Sequence, residues 1–404
     1  MIVLREKNVK NNTLYTMKKT YLFIVALLPL LLCVSVLRAQ DPNFSQFYFK
    51  ELYYNPAFTG VNPGLRGTIS DRHLWVNVPG EYGTQSIAFD YYDDKFAQGG
   101  FGAHMTRNTQ GQNFLNTFNG GITYAKQVRI LPDLMLQIGA GAQYVYKTID
   151  YGGLTFTDQY DPRFGAIYET EFVAPEDGVG SKGAFDYNAG MIVRFNIRET
   201  PVKYIAANTF GIAFHHLSEP DFSWLDDGNE APLPMKMVIH GYSMIRINRS
   251  GFHNRFFLLT PGFLYENQAE SQYLFKGEEA GAKTLSFGLN AVIPSKISFV
   301  SSLYIGAWMR KQYWKREQLA DYIEDIKKKS FDSMIFTLGY IKYSKNNKEL
   351  YRFLYNYDMT ISAAGLSTGG SHEVTLSFEI HDLALPGRNA RRSAVPHPND
   401  KFFK

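Results

Sequence analysis

From Leu65 onward, apolar and polar residues alternate in segments of about 9 to 16 residues, separated by Gly, Pro, Asn and Asp. Fourteen such segments can be marked: 65–76, 84–92, 98–108, 113–128, 133–147, 184–197, 204–216, 235–249, 253–266, 282–293, 296–311, 331–343, 350–362 and 371–382. The last has the clearest pattern. Val374, Leu376, Phe378 and Ile380 share one face, and Glu373, Thr375, Ser377, Glu379 and His381 the other. In the fifth, Leu134, Leu136, Ile138, Ala140, Ala142, Tyr144 and Tyr146 stand opposite Gln137, Gly139, Gly141, Gln143 and Lys147. Side chains alternate across a strand, so these are faces for lipid outside and a polar lumen inside. The expected fold is all-β: a transmembrane antiparallel up-and-down β-barrel of about 14 strands.

The links sharpen this expectation. Odd-numbered links span about 7, 4, 36, 18, 15, 19 and 8 residues, and even-numbered ones about 5, 4, 6, 3, 2 and 6. Long links therefore gather at one end, as in outer-membrane barrels with long extracellular loops and short periplasmic turns. A soluble sandwich has no reason to sort its loops this way. No segment after residue 39 approaches 18 consecutive apolar residues, so a membrane-embedded chain would have to cross with strands.

The first 39 residues read as a targeting segment. Met17-Lys18-Lys19 precedes an almost entirely apolar run from Tyr21 to Val36, then Leu37-Arg38-Ala39, which predicts a signal peptide cut near Ala39, with Met17 as a possible true start. The expected organisation is a leader (1–39), a periplasmic or luminal segment (40–64), the barrel (65–382) and a basic periplasmic tail (383–404). The only cysteine, Cys33, falls in the leader, which leaves a processed chain without disulfides, thiolate metal sites or a Cys nucleophile.

Charge follows the same division. The net +4 comes from a leader with six basic residues against one acid and a tail with five against one, while residues 40–382 carry about −5. A nucleic-acid-coating protein is disfavoured. With 27 Tyr, 31 Phe and 34 Gly beside a mean hydropathy of −0.24, the composition suits a barrel that hides its apolar side chains on alternate positions.

Thr148 to Gly183 holds seven acids (Asp150, Asp158, Asp161, Glu169, Glu171, Glu176 and Asp177) and two basic residues, which reads as a solvated outer loop or a site for a basic partner. Leu319, Tyr322, Ile323 and Ile326 within Gln312 to Ser330 have helical spacing and predict a short amphipathic helix in that loop. His215-His216 with Asp221, Asp226 and Asp227 could suggest a metal or catalytic site. Adjacent strand residues point to opposite faces, however, so the pair is expected not to act on one ion. Gly-x-Ser-x-Gly, His-Glu-x-x-His and phosphate-loop patterns are absent, and Gly139-x-Gly141 suits a barrel bend. No catalytic residue, metal or cofactor is expected.

The segment before the first strand reads Asp41-Pro-Asn-Phe-Ser-Gln-Phe-Tyr48 and Tyr53-Tyr-Asn-Pro-Ala-Phe-Thr-Gly60. It has neither strand nor helix periodicity and is expected to be an aromatic-anchored lead-in. These motifs, with His372-Glu-Val-Thr-Leu-Ser-Phe378 in the last strand, resemble the PorP/SprF family of outer-membrane proteins of the type IX secretion and gliding machinery of Bacteroidota. The spacing of Arg72 and Trp75 and the long links at 148–183 and 217–234 depart from it. The resemblance implies a noncatalytic outer-membrane barrel that supports secretion or surface anchoring, with partners among periplasmic ring lipoproteins or a large secreted adhesin. It carries Asp41, Phe44, Ser45, Gln46, Tyr48, Asn55, Pro56 and Gly60 forward as partner-binding or plug candidates. A passive porin or hydrophobic-solute channel is the alternative.

Overall fold

The computed structural model describes residues 41–62, 64–80, 82–93, 99–111, 114–161, 163–171, 179–198, 204–223, 232–248, 256–271, 279–295, 301–313, 331–344, 348–362 and 365–381. The expected leader with Cys33, the expected helix beyond Tyr313, Asp226 and Asp227, and the expected basic tail lie outside them. The strands are β1 (Gly64–Leu74), β2 (Gly83–Asp93), β3 (Gly99–Gln110), β4 (Leu115–Leu131), β5 (Leu134–Asp150), β6 (Tyr160–Asp161), β7 (Gly165–Ala166), β8 (Val179–Arg198) and β9 (Tyr204–His215), followed by β10 (Lys236–Asn248), β11 (Phe256–Ser271), β12 (Glu279–Pro294), β13 (Ser302–Tyr313), β14 (Phe331–Tyr343), β15 (Glu349–Thr360) and β16 (Ser371–His381). All but β6 and β7 join one closed antiparallel barrel of fourteen strands. Each barrel strand pairs with its sequence neighbour, and β16 returns to β1 from Gly64↔His381 to Leu74↔Ser371.

Closure leaves no unpaired sheet edge, which lipid would not tolerate. Strands of 11 to 20 residues exceed the roughly 9–11 that a tilted strand needs to cross a bilayer. The period-two pattern is expressed as an inside-out burial pattern. On β16, Glu373, Thr375, Ser377 and Glu379 are buried in the lumen, while Val374 and Leu376 are exposed outward at 38% and 51%. Ile122, Ile138, Phe185 and Leu338 likewise face out from other strands. The membrane replaces water around this outer band, so such residues need no protein partner.

The acidic link is shorter than its sequence suggested. Lys147 to Asp150 continue β5 and pair with Val179 to Lys182 on β8. Within it, β6 and β7 make a small hairpin. The Asp161 carboxylate accepts from the Arg163 and Phe164 amides at 2.7 and 3.0 Å, and that of Asp158 accepts from Glu171 N at 2.7 Å, so two of the acids hold loop geometry. At the same end, the link after β9 folds inward, burying Phe222 and Leu233 against Val145 of the barrel wall.

Candidate functional site

The lead-in lies inside the barrel. Residues 41–62 descend from the long-loop end past a 3-10 turn (Phe47–Phe49), return upward through the one-turn helix α1 (Glu51–Tyr54), and descend again through a second 3-10 turn (Pro56–Phe58) to β1. The sequence shows no helical period here because each element is a single turn, too short to display one and held by contacts with the wall.

Aromatic side chains of the segment pack on β13 and on one another. Phe47 meets Trp308 of β13 edge-on at 5.0 Å between ring centroids, Tyr48 stacks on the same indole at 5.3 Å, and Phe49 packs on Tyr304 at 5.6 Å. Phe44 packs on Tyr53 at 4.9 Å, and Tyr53 on Tyr54 at 5.1 Å. Contacts of this kind contribute about 0.5–1.5 kcal/mol each beyond burial. Trp308 donates its indole N–H to Asn290 Oδ1 at 2.8 Å, so the ring that carries the plug is itself fixed.

Polar clamps tie the plug to the neighbouring strands β15, β16, β1 and β2. The Ser45 amide donates to Glu373 of β16 at 2.8 Å, and its hydroxyl donates to Asp358 of β15 at 3.2 Å. Asp358 also receives Arg310 at 3.1 Å. Lys50 stands 3.9 Å from Glu373, and burial pulls its ammonium down to about 8 against that attraction. Lower down, Arg66 of β1 bridges Glu51 of α1 and Asp90 of β2, which in turn accepts the Gly60 amide at 2.8 Å. Gln46 is fully buried, and neither of its amide atoms has a protein hydrogen-bond partner among the described residues.

Asn55-Pro56 is a built turn. Asn55 Oδ1 accepts from Ala57 N at 2.9 Å with Pro56 at the first helical position, while its Nδ2 lies 3.2 Å from the Met191 and Ile212 carbonyls and 3.1 Å from His240 Nε2. The wall makes room by omitting side chains. A Cβ on Gly139 would lie 2.6 Å from Ala57 Cα, so that glycine makes room for the close approach of the luminal segment. Gly60 itself has φ +66° and is packed against Gly100, where a side chain would suffer both strain and collision. Asn55→Ala removes the cap and the wall contacts together. It is expected to cost about 1–2 kcal/mol, read as a lower denaturant midpoint in detergent.

The two histidines overturn the expectation that they face opposite ways. His215 ends β9 with its ring in the lumen and Nε2 donating to the Tyr54 carbonyl at 3.0 Å. His216 has left the strand at φ +59°, which turns its ring inward too. It bridges Asp41 at 2.9 Å and Asp186 at 2.7 Å, while Lys236 lies 3.7 Å from Asp41 and 2.8 Å from Glu266. Asp221, by contrast, pairs with Lys182 at 2.8 Å. Strand alternation held for His215; the left-handed backbone at His216 carries no signal in the sequence.

Burial pushes the Asp41 carboxyl up, but the adjacent His216 and Lys236 charges outweigh it and hold the group well below the usual carboxylate range. Burial pulls His216 down, and the Asp41 charge with the Asp186 hydrogen bond raises it further, to about 9. The His216 contribution is therefore complete below its ordinary value of 6.5 and is lost as pH rises through about 9; that of Asp41 is complete above 3.8 and is lost on acidification. A spin label on Asn43→Cys is expected to be immobile near pH 6 and to gain mobility between pH 6.5 and 9. A His216→Gln background should flatten that transition.

Thus Asp41, Phe44, Ser45, Gln46, Tyr48, Asn55, Pro56 and Gly60 lie together in the one segment that runs through the lumen. Their wall partners Arg66, Asp90, Glu373, Asp358 and Trp308 were legible only as polar or aromatic positions on alternating strands. The barrel is similar to the toluene transporter TbuX of Ralstonia pickettii, at 10% identity and TM-score 0.40 over 82% of this chain and 92% of that one. It is also similar to a FadL homologue of Pseudomonas aeruginosa (11%, 0.40, 84% and 94%) and to the toluene transporter TodX of Pseudomonas putida (8%, 0.40, 86% and 95%). A search of curated proteins finds no match. The model of the type IX secretion system membrane proteins PorP/SprF matches residues 36–378, and the chain, which carries both opening motifs and the closing strand motif, belongs to that family.

Proposed function

We propose that the protein sits in the outer membrane as a plugged, noncatalytic platform of the type IX machinery. In this role it supports secretion or surface anchoring by binding other components, either periplasmic lipoproteins at its short turns or a secreted adhesin at its long loops. The observation that carries this reading is the occupied lumen. A passive channel needs a continuous polar path, whereas here aromatic rings from residues 44–54 occupy the lumen and pack on Trp308 and Tyr304 of β13. The buried charges support a noncatalytic role, since Arg66 is matched by Glu51 and Asp90, Arg352 by Glu379, and Lys236 by Glu266.

Affinity purification of the tagged full chain from detergent-solubilised membranes, followed by mass spectrometry, tests the proposal. Stoichiometric recovery of a secretion-ring lipoprotein or a surface protein with a type IX sorting domain is the expected result. Recovery of the barrel alone under mild detergent, together with conductance of the intact protein in planar bilayers, would instead support the channel.

A further inference from the structure

The link after β9 begins with a backbone that ordinary side chains avoid. Within four residues His216 has φ +59° and Glu219 φ +42°, and neither is glycine. Such conformations persist where surrounding contacts hold them. The Leu217 amide donates to the Tyr187 carbonyl at 3.0 Å, the Ser218 hydroxyl to Asp186 at 3.0 Å, and the Leu233 amide to the Pro220 carbonyl at 2.9 Å, which joins the two stems of the link, 216–223 and 232–234. Phe222 and Leu233 close over Val145 and Ala184 of the inner wall. On the partly exposed side, Lys182 of β8 donates to the Asp221 carboxylate and to the Ser223 carbonyl, both at 2.8 Å.

One side chain serves both this link and the plug. The His216 ring lies between Asp186 of the wall and Asp41 of the plug. Asp186 is fully buried and also accepts from Gln143 and Ser218, so the imidazole is fixed from the wall side. Asp41 is held a second time just beyond the other stem. Lys236 of β10 stands 3.7 Å from its carboxylate, and Gln268 of β11 accepts its amide at 3.0 Å while donating to the Pro234 carbonyl at 3.5 Å. The start of the plug is therefore gripped between the two stems. Farther along, the Phe58, Thr59 and Gly60 carbonyls are held by Arg66, Gln137 and Gln127, so loosening at Asp41 acts first on the segment's opening residues.

We propose that the link and the opening residues of the plug form one coupled latch through His216 and Asp41: displacing the link at the long-loop end frees residues 41–46, and freeing Asp41 loosens the link. The coupling is reciprocal, because each element is held more tightly while the other is in place. It gives the long-loop end a route into the lumen while β9 and β10 stay paired from Lys236↔His215 onward. The latch goes beyond the platform role and does not depend on it.

The test uses the full chain in detergent at pH 6, in a Cys33→Ala background that leaves each reporter as the only thiol. Val145→Cys, or Ala184→Cys if the first fails to show the heat-modifiable migration of a folded barrel, reads the link through its rate of modification by a charged methanethiosulfonate. A spin label on Asn43→Cys reads the plug. Asp41→Asn, a change in the plug alone, should raise the modification rate beneath the link about tenfold, within the range that coupled sites show. Lys182→Ala, which removes contacts to the link, should mobilise the label at residue 43. His216→Asn keeps a residue that tolerates the left-handed backbone but is too short to join both carboxylates, and most of each cross-effect should be lost in it. Perturbations that act only on their own side, or cross-effects undiminished in His216→Asn, would overturn the proposal.

Discussion

Deleting residues 41–60 is expected to turn a barrel that is silent in planar bilayers into one that conducts in discrete steps. The deletion removes every aromatic ring that occupies the lumen from the N-terminal side, Phe44 through Phe58, while leaving Trp308 and Tyr304 on the wall. It also exposes the alternating polar face of β16 and β1, where Arg66, Thr68, Ser70 and Arg72 line up opposite Glu373, Thr375, Ser377 and Glu379. Water enters such a lumen readily, and its charged rows provide an ion path. The strand ladder does not pass through the plug, since β1 pairs with β16 and β2 without it, so the variant should still migrate as a folded barrel before heating. A folded but silent deletion variant would mean that the inward-folded link bearing Phe222 and Leu233 seals the barrel unaided.

The parts of this architecture that the sequence declares are those governed by local repetition. Strand number, pairing order and the sorting of long and short links all follow from a two-residue period broken by turn residues, and these fourteen segments are the fourteen barrel strands. The plug was legible in part. Its aromatic and turn residues marked it as structured, but its path was not, because that path is set by contacts across hundreds of residues such as Ser45 with Glu373 and Asn55 with Met191. Gly139 shows the difficulty in one residue. In the sequence it is a glycine in a strand, and only the approach of Ala57 explains why a side chain is missing there. His216 shows another, since a single left-handed residue at a strand end reverses the facing that alternation predicts.

Arg66→Ala is the substitution expected to cost most stability. Its guanidinium joins three otherwise separate pieces: Nε donates to Asp90 on β2 at 2.7 Å, Nη1 donates to Glu51 on α1, and Nη2 reaches the Phe58 carbonyl at 3.3 Å. Removing it strands two carboxylates in the lumen. Asp90 would keep the Gly60 amide at 2.8 Å, and Glu51 the Tyr242 hydroxyl at 3.0 Å, and neither donor carries a positive charge. Breaking a buried ion pair from one side costs about 3–5 kcal/mol, chiefly because the remaining charge is left uncompensated. Unfolding by urea in detergent should show a loss of that order, with the plug released before the barrel. Arg66→Lys should recover little, because a point charge cannot reach Asp90, Glu51 and the Phe58 carbonyl as the guanidinium fork does. Adding Glu51→Gln to Arg66→Ala removes one stranded charge and should restore part of the loss. If the single substitution costs less than about 1 kcal/mol, water must already solvate the two carboxylates, and the plug must be held by its aromatic contacts and not by this charge network.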